Sequence, residues 1–434
     1  MKVKVITVGC PKNTVDSEQA LYLMQAAGFT QIHDLKQADI VLINTCAFIE
    51  SAKEESIKVI LDAAAMVAQT GARLWVTGCM VSRYKDELAK ALPEVDAFIG
   101  LKDWNGLQRL LAEEEPAFTL RSSKQQALKR MSYGRILLTP PWSAYLRIAD
   151  GCDNRCSYCA IPVIRGGYAS RPFEVLLDEA ERLVAGGVRE IILIAQDSTR
   201  YGMDIYGKRR LSELILALGN IRGLKWIRLM YAHPASLDDE LIEVIAAAPR
   251  VCRYLEIPLQ HSHPDILISM RRPSDPRQTL DKLQKLRRLN SYTTLRSTFI
   301  VGYPAERKEH YLHLRRFLRE AAFDRAGFFI YSPEEGTSAY NIRPRVRMST
   351  ALRRQEQLME LQADISADIS ARLIEREIEV LIENREGGGL IGRGHRDAPE
   401  IDGAVYLTGQ AKIGSIARAR VTHADPHDLY GIIV

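Results

Sequence analysis

Twice along this chain, short apolar runs alternate with amphipathic helical stretches, and in both places cysteines stand where runs stop. In the first 118 residues the runs are 2–9, 38–45 and 72–78, each β-branched or bulky and too short for a typical helix. Residues 17–27 and 54–68 carry helical patterns between and after them. This order implies a parallel sheet flanked by helices. Cys10, Cys46 and Cys79 close the three runs. The carboxyl ends of strands in an open parallel sheet share one edge, where ligands bind. Three thiols remote in sequence but delivered to that edge can converge on one site. They are read either as a second metal cluster or as buried core cysteines, which pack as small hydrophobes.

Residues 119–142 interrupt the pattern. Arg121, Lys124, Lys129, Arg130 and Arg135 occur with no acidic residue among them, and Pro140-Pro141 follows. The segment reads as an exposed linker with a basic face, a solvated connector or a substrate or RNA contact. From Ala144 a second series begins, with runs ending near Gly151, Asp197, Pro234, His261, Pro304 and Pro333. Six such units are too few for a full eight-unit barrel and predict an open (β/α)6 partial TIM barrel over 143–370. Residues 350–376 are helical in pattern. Beyond them, short runs at 377–382, 404–407 and 417–421, with Gly387-Gly388-Gly389 and Asp402-Gly403, predict a small C-terminal β-barrel over 371–434. The fold class is thus multidomain α/β: a parallel N-terminal domain (1–118), the linker, the open barrel and the small β-barrel.

The strongest local signal is Gly151-Cys152-Asp153-Asn154-Arg155-Cys156-Ser157-Tyr158-Cys159, a CxxxCxxC spacing where the first barrel strand ends. Barrels of this kind carry chemistry on that face. Three thiolates on one loop suit three irons of a [4Fe–4S] cluster and leave the fourth open. The alternative is a structural zinc loop completed by a distant ligand, although such sites usually pair CxxC modules. Cys252, at the start of a strand, reads as structural.

Composition narrows the classes. Hydrophobic residues at 46% and charged residues at 26% describe a folded globular chain. A formal charge of +5 argues against a protein that coats nucleic acid in bulk. No apolar run approaches a membrane span, and the N-terminus lacks a signal-peptide pattern, so a cytoplasmic location is expected. Structural disulfides are rare there, which turns seven cysteines toward metal or redox chemistry.

The cysteine-bearing segments resemble the methylthiotransferase branch of the radical S-adenosylmethionine (radical SAM) enzymes, over nearly the whole chain. Gly9-Cys10-Pro11-Lys12-Asn13 with Asp16-Ser17-Glu18, Asn44-Thr45-Cys46 and Thr77-Gly78-Cys79 match that branch's N-terminal domain, and the central triplet matches its radical cluster motif. The C-terminal segment resembles a TRAM domain. Ile194–Gly202, the stretch from Tyr331 to Thr337 and the stretch from Asp397 to Gly403 resemble the subgroup acting on an aspartate of ribosomal protein S twelve rather than on a tRNA adenosine. There are two departures. Ala305-Glu306-Arg307 stands where the family has Gly-Glu-Thr, and Ala169 replaces an arginine in Arg165-Gly166-Gly167-Tyr168-Ala169-Ser170-Arg171.

The resemblance implies two [4Fe–4S] clusters, one on Cys152, Cys156 and Cys159 that binds S-adenosyl-L-methionine, the other on Cys10, Cys46 and Cys79 that carries sulfur. Tyr158, Gln196, Asp197, Gln260 and Gly302 are the expected cofactor contacts; Tyr158 also reads as a loop anchor and Asp197 as a helix cap. No general acid or base is assigned, and His261 is not taken as a ligand. The implied partners are ribosomal protein S twelve, free or in the small subunit, and a reductant protein such as flavodoxin or ferredoxin; neither membrane nor tRNA is expected. Residues 371–434 hold eight Lys/Arg against ten Asp/Glu, which suits a basic protein better than phosphates. Glu400 and Asp402 are expected in a loop open to that partner, or else capping a turn. The competing functions are tRNA methylthiolation, an iron–sulfur electron carrier and an RNA-binding adaptor.

Overall fold

The computed structural model describes residues 1–101, 103–112, 131 and 133–434. The first unit is a five-stranded, all-parallel sheet in the order β2-β1-β3-β4-β5. Its strands are β1 (Lys2–Thr7), β2 (Thr30–Gln31), β3 (Ile40–Thr45), β4 (Arg73–Gly78) and β5 (Ala97–Gly100). Every residue of the central β3 is buried, as expected of a parallel strand covered on both faces. The three expected runs are β1, β3 and β4. The two edge strands, of two and four residues, are too short to stand out in sequence.

Six parallel strands follow: β6 (Ser143–Arg147), then, beyond the short ribbon β7 (Ala149–Asp150) and β8 (Ala169–Ser170), β9 (Glu190–Ile194), β10 (Trp226–Leu229), β11 (Tyr254–Glu256), β12 (Thr294–Val301) and β13 (Arg325–Ile330). They form the ladders β6-β9-β10 and β11-β12-β13, joined through a parallel bridge from Ile227 to Val251. This is the expected open six-unit barrel. Its interior is packed by Tyr145, Ile192, Ile194, Trp226 and Tyr254. Each strand stops three to five residues before the position read from sequence, because the cysteine, Gln-Asp and Gln-His segments that follow are loops.

The last unit is a closed barrel in the order β14-β15-β16-β18-β17. Its strands are β14 (Glu377–Glu386), β15 (Gly389–Gly394), β16 (Val405–Thr408), β17 (Ile416–Ala424) and β18 (Leu429–Ile433). It seats on the starts of the central strands. Glu190, at the first position of β9, pairs with Arg228 at 2.8 Å and with Arg393 of the small barrel at 2.6 Å. Arg325, at the first position of β13, donates to the Pro426 and His427 carbonyls.

Two expectations fail here. Arg135 is no part of an exposed basic face: it is buried, 3.0 Å from Glu18 and 2.9 Å from Glu179, so it ties the first unit to a barrel helix. Arg121, Lys124, Lys129 and Arg130 lie outside the described residues. Asp402 is not open to a partner either. Its side chain is fully buried, 2.8 Å from Arg296, and it accepts the Tyr254 hydroxyl at 2.7 Å. Burial of a carboxylate is tolerated because a guanidinium and hydrogen bonds satisfy it. Glu400 is exposed. Asp397 is buried beside Arg325, so the 397–403 segment fastens the small barrel down. With Arg393, Arg396, Asp397 and the Asp402 side chain buried, six basic and eight acidic residues remain on that unit, and its balance stays acidic.

Candidate functional site

Cys10 is the N-cap of helix Pro11–Ala26, Cys46 follows β3 directly, and Cys79 opens helix Cys79–Ala91 after β4. The ends of β3 and β4 must run close for the last two to meet. Gly78 permits this: its φ is +110°, and a Cβ there would fall 2.4 Å from the Thr45 backbone nitrogen and oxygen. The three thiols interact with one another, and burial pushes Cys46 up and Cys79 up to about 12. The expected convergence of Cys10, Cys46 and Cys79 on one edge is therefore what the sheet produces.

The second set is local. Gly151, with φ +72°, turns the chain within 2.1 Å of where its Cβ would meet the Gly167 carbonyl. The loop is then pinned: Cys152 N–H donates to Gly166, and Ser157 N–H to Met270. Burial pushes Cys159 up to about 12 and Cys152 up to about 11. A thiol must lose its proton to bind metal, so metal uptake at either set releases protons.

Buried cations lie against both sets, and the sequence gives them no role there. Arg165 donates to Asn13 at 2.7 Å, pairs with Asp16 at 2.9 Å and Asp150 at 3.3 Å, and points a guanidinium nitrogen at Cys79 Sγ, 3.7 Å away. Burial opposes its charge; Asp16 and the thiols outweigh burial and raise its pKa. Arg147 pairs with the other oxygen of Asp16. Arg272 does for the loop what Arg165 does for the dispersed set, reaching Cys156 Sγ at 3.7 Å and the Tyr158 hydroxyl at 3.4 Å. Lys12 lies over the Tyr231 ring, 2.9 Å from its centroid, and burial lowers it to about 8. Single arginines carry no spacing signal; only the fold reveals them.

The other expected contacts divide. Asp197 accepts from Asn154 of the cysteine loop at 2.9 Å and from Thr199, and it caps no helix through its side chain. Gln196 Oε1, next to it in sequence, and His233 Nε2, near it in space, are buried without a hydrogen-bond partner among the described residues. Tyr158 packs against the cluster of Met270, Tyr303 and Tyr331. Gln260 bridges to Phe299 with φ 72°. Gly302 faces helix Met348–Ala371, where a Cβ would meet Ala351 at 2.7 Å, so packing alone accounts for that glycine. The Tyr331–Thr337 segment is also a clasp between units: Glu334, buried, pairs with Arg83 at 2.7 Å and Lys53 at 3.3 Å.

Comparison with known proteins agrees with this layout. Residues 2–100 match the family described as Uncharacterized protein family UPF0004, 146–318 the Radical SAM superfamily and 374–434 the TRAM domain. The chain is 43% identical to the Ribosomal protein uS12 methylthiotransferase RimO of Thermoanaerobacter sp. (strain X514), over 99% of each. It is 44% identical to the protein of the same name from Caldanaerobacter subterraneus subsp. tengcongensis, again over 99% of each. Among solved structures it resembles the radical S-adenosylmethionine methyltransferase TsrM of Kitasatospora setae, with a TM-score of 0.58 over 78% of this chain and 77% of that one, at 16% identity. That likeness is one of fold.

Proposed function

The chain belongs to the RimO family of radical SAM methylthiotransferases, and from that premise we propose that it methylthiolates the β-carbon of an aspartate of ribosomal protein S twelve, using two [4Fe–4S] clusters and S-adenosyl-L-methionine. The observation that supports the reading is that Arg165, which points at Cys79 of the dispersed set, also pairs with Asp150, two residues before Cys152 of the loop set. Cys152, Cys156 and Cys159 would hold one cluster and Cys10, Cys46 and Cys79 the other. Three protein ligands each leave one iron open to a substrate or cofactor group.

When bound, the cofactor at the loop cluster supplies radical chemistry able to take hydrogen from an unactivated carbon. The chain's own residues bind, orient and exclude water. Asn154 and Asp197 fix the cysteine loop against the end of β9. The unpartnered Gln196 Oε1 and His233 Nε2 fit a polar ligand, since buried polar atoms are otherwise satisfied. Tyr158 and Gln260 are the further contacts proposed, with Gly302 contributing only backbone. Arg165 and Arg272 place positive charge beside thiolate sulfur, which favours the deprotonated ligands. Ribosomal protein S twelve is the proposed substrate, and a flavodoxin- or ferredoxin-type protein the electron source.

The test is an anaerobic assay of the iron-loaded protein with S-adenosyl-L-methionine and a reductant, offered the ribosomal protein and tRNA separately. A methylthio group on the ribosomal protein alone, by mass spectrometry, is the expected result. Modification of tRNA alone would overturn the substrate assignment.

A further inference from the structure

Away from both cysteine sets, three imidazoles meet where the loop after β11 crosses helix Lys308–Ala321. His263 is the N-cap of helix Pro264–Ser269. His310 and His313 lie three residues apart, on one face of the other helix. The His263 ring centroid is 4.4 Å from that of His310 and 5.0 Å from that of His313. Asp265 completes the group: one ligand atom each from His263, Asp265 and His310 lie within 4.8 Å of one another. Among the described residues none of these four side chains hydrogen-bonds to a cysteine; the nearest link inward is the His263 N–H, which donates to His261 Nδ1 at 2.9 Å.

We propose that His263, His310 and Asp265, with His313 beside them, bind one divalent ion of the zinc class. Two or three imidazoles with a carboxylate are borderline donors that suit Zn²⁺, Co²⁺ or Ni²⁺ rather than Mg²⁺ or Ca²⁺. Zinc–nitrogen bonds of about 2.0–2.1 Å bring tetrahedral ligand atoms to roughly 3.4 Å apart, so the side chains must close inward. Asp265 can swing, since its side chain is 73% exposed.

The surroundings set the terms. Burial, with His263 next, holds His310 and His313 below the usual histidine range and therefore neutral, as ligands must be. Asp265 and Glu309 face the cluster with negative charge; Arg307, Arg277 and Arg316 face it with positive charge. His263 Nδ1 accepts the Asp265 N–H at 3.2 Å, and His310 Nδ1 accepts the Arg307 N–H at 3.1 Å. Ligation through either nitrogen replaces one of these long caps. His313 Nδ1 is bonded to Ser262 Oγ at 2.9 Å, which orients the ring and leaves Nε2 for metal when Nδ1 donates.

The site would act as a clasp. Helix Pro264–Ser269 carries the cluster at its start, and its last residue, Ser269, with the following Met270 offers the carbonyls that hold Ser157. An ion tying that helix to Lys308–Ala321 would brace the cysteine loop from outside.

The experiment is a Zn²⁺ titration by calorimetry on the full chain with its cysteines already loaded with iron and sulfide, so that thiolates are occupied. One zinc per chain is expected. Asp265→Asn, isosteric and exposed, should bind at least tenfold more weakly, and the pair His310→Ala with His313→Ala should bind none, with iron content unchanged. Zinc should raise the melting temperature of the unsubstituted protein, raise that of Asp265→Asn less, and leave that of the double variant unchanged. Absence of binding to the unsubstituted protein, or binding that survives both variants, overturns the proposal.

Discussion

The two cysteine sets reach similar local chemistry by opposite routes. Cys152, Cys156 and Cys159 lie within one loop, pinned by a handful of hydrogen bonds. Cys10, Cys46 and Cys79 depend on three strands being in register and on Gly78 letting β4 pass β3. A local set survives so long as its loop does. A dispersed set is only as good as the sheet beneath it.

The largest expected effect separates the sets outright. Changing Cys152, Cys156 and Cys159 together to Ala should lower iron from about eight per chain to about four and abolish reductive cleavage of S-adenosyl-L-methionine. Changing Cys10, Cys46 and Cys79 together should leave a similar iron content but preserve cleavage while ending sulfur insertion. Product formation by the second variant would return those three thiols to the role of core residues.

Next comes a substitution that touches no cysteine. Gly78→Val forces a side chain into the Thr45 backbone. It should cost the dispersed set its iron while the loop set keeps about four atoms, by iron analysis. Equal loss from both sets would mean that the barrel depends on the N-terminal sheet to fold, and that the two routes are not independent. Proton release sharpens the same contrast: with Cys79 and Cys159 near 12 and Cys152 near 11, all are thiols at neutral pH, so iron–sulfide uptake should strengthen from pH 7 to 9 at both sets.

The remaining effects are on stability. Asp402→Asn breaks a buried pair with Arg296 and should cost about 3–5 kcal/mol by denaturant titration, without altering iron content. The nearby Glu190 adds a pH dependence. Burial alone would raise its pKa, but Arg393 and Arg228 outweigh burial and hold it at about 2. A carboxylate depressed in the fold stabilises above its unfolded value of about 4.3 and loses that contribution as pH falls toward the folded value. The seat of the small barrel should therefore loosen between those limits, read as falling thermal stability. The smallest effect is Ala305→Gly. Ala305 has φ +66° where the family carries Gly, so the change should stabilise the barrel by up to ~1 kcal/mol and leave both sets untouched.

The contrast also explains what the sequence could disclose. The fold class was legible because strand and helix periods alternate cleanly, and the loop triplet because its spacing is local. The dispersed triplet was legible only after the strands were placed. Lys12 and Arg165 stand inside segments that resemble family motifs, but their contacts, like those of Arg272, were not legible: each acts through residues a hundred or more positions away, or across two units, and no period marks such a contact. Glu400 and Asp402 are read from sequence as partner-facing because acidic loop residues usually are solvated; the fold leaves Glu400 exposed but gives Asp402 to Arg296 and Tyr254 instead.

The seat of the small barrel has one more consequence. It holds the starts of the central strands, whereas the CxxxCxxC loop leaves from the end of β6. A five-residue strand such as β6 spans about 17 Å. A macromolecule gripped by the C-terminal unit must therefore extend an arm past the full height of the wall before any of its atoms reaches the thiols. The small barrel's seat and the thiols thus stand a strand's length apart, and a ligand held at the one spans that height to meet the other.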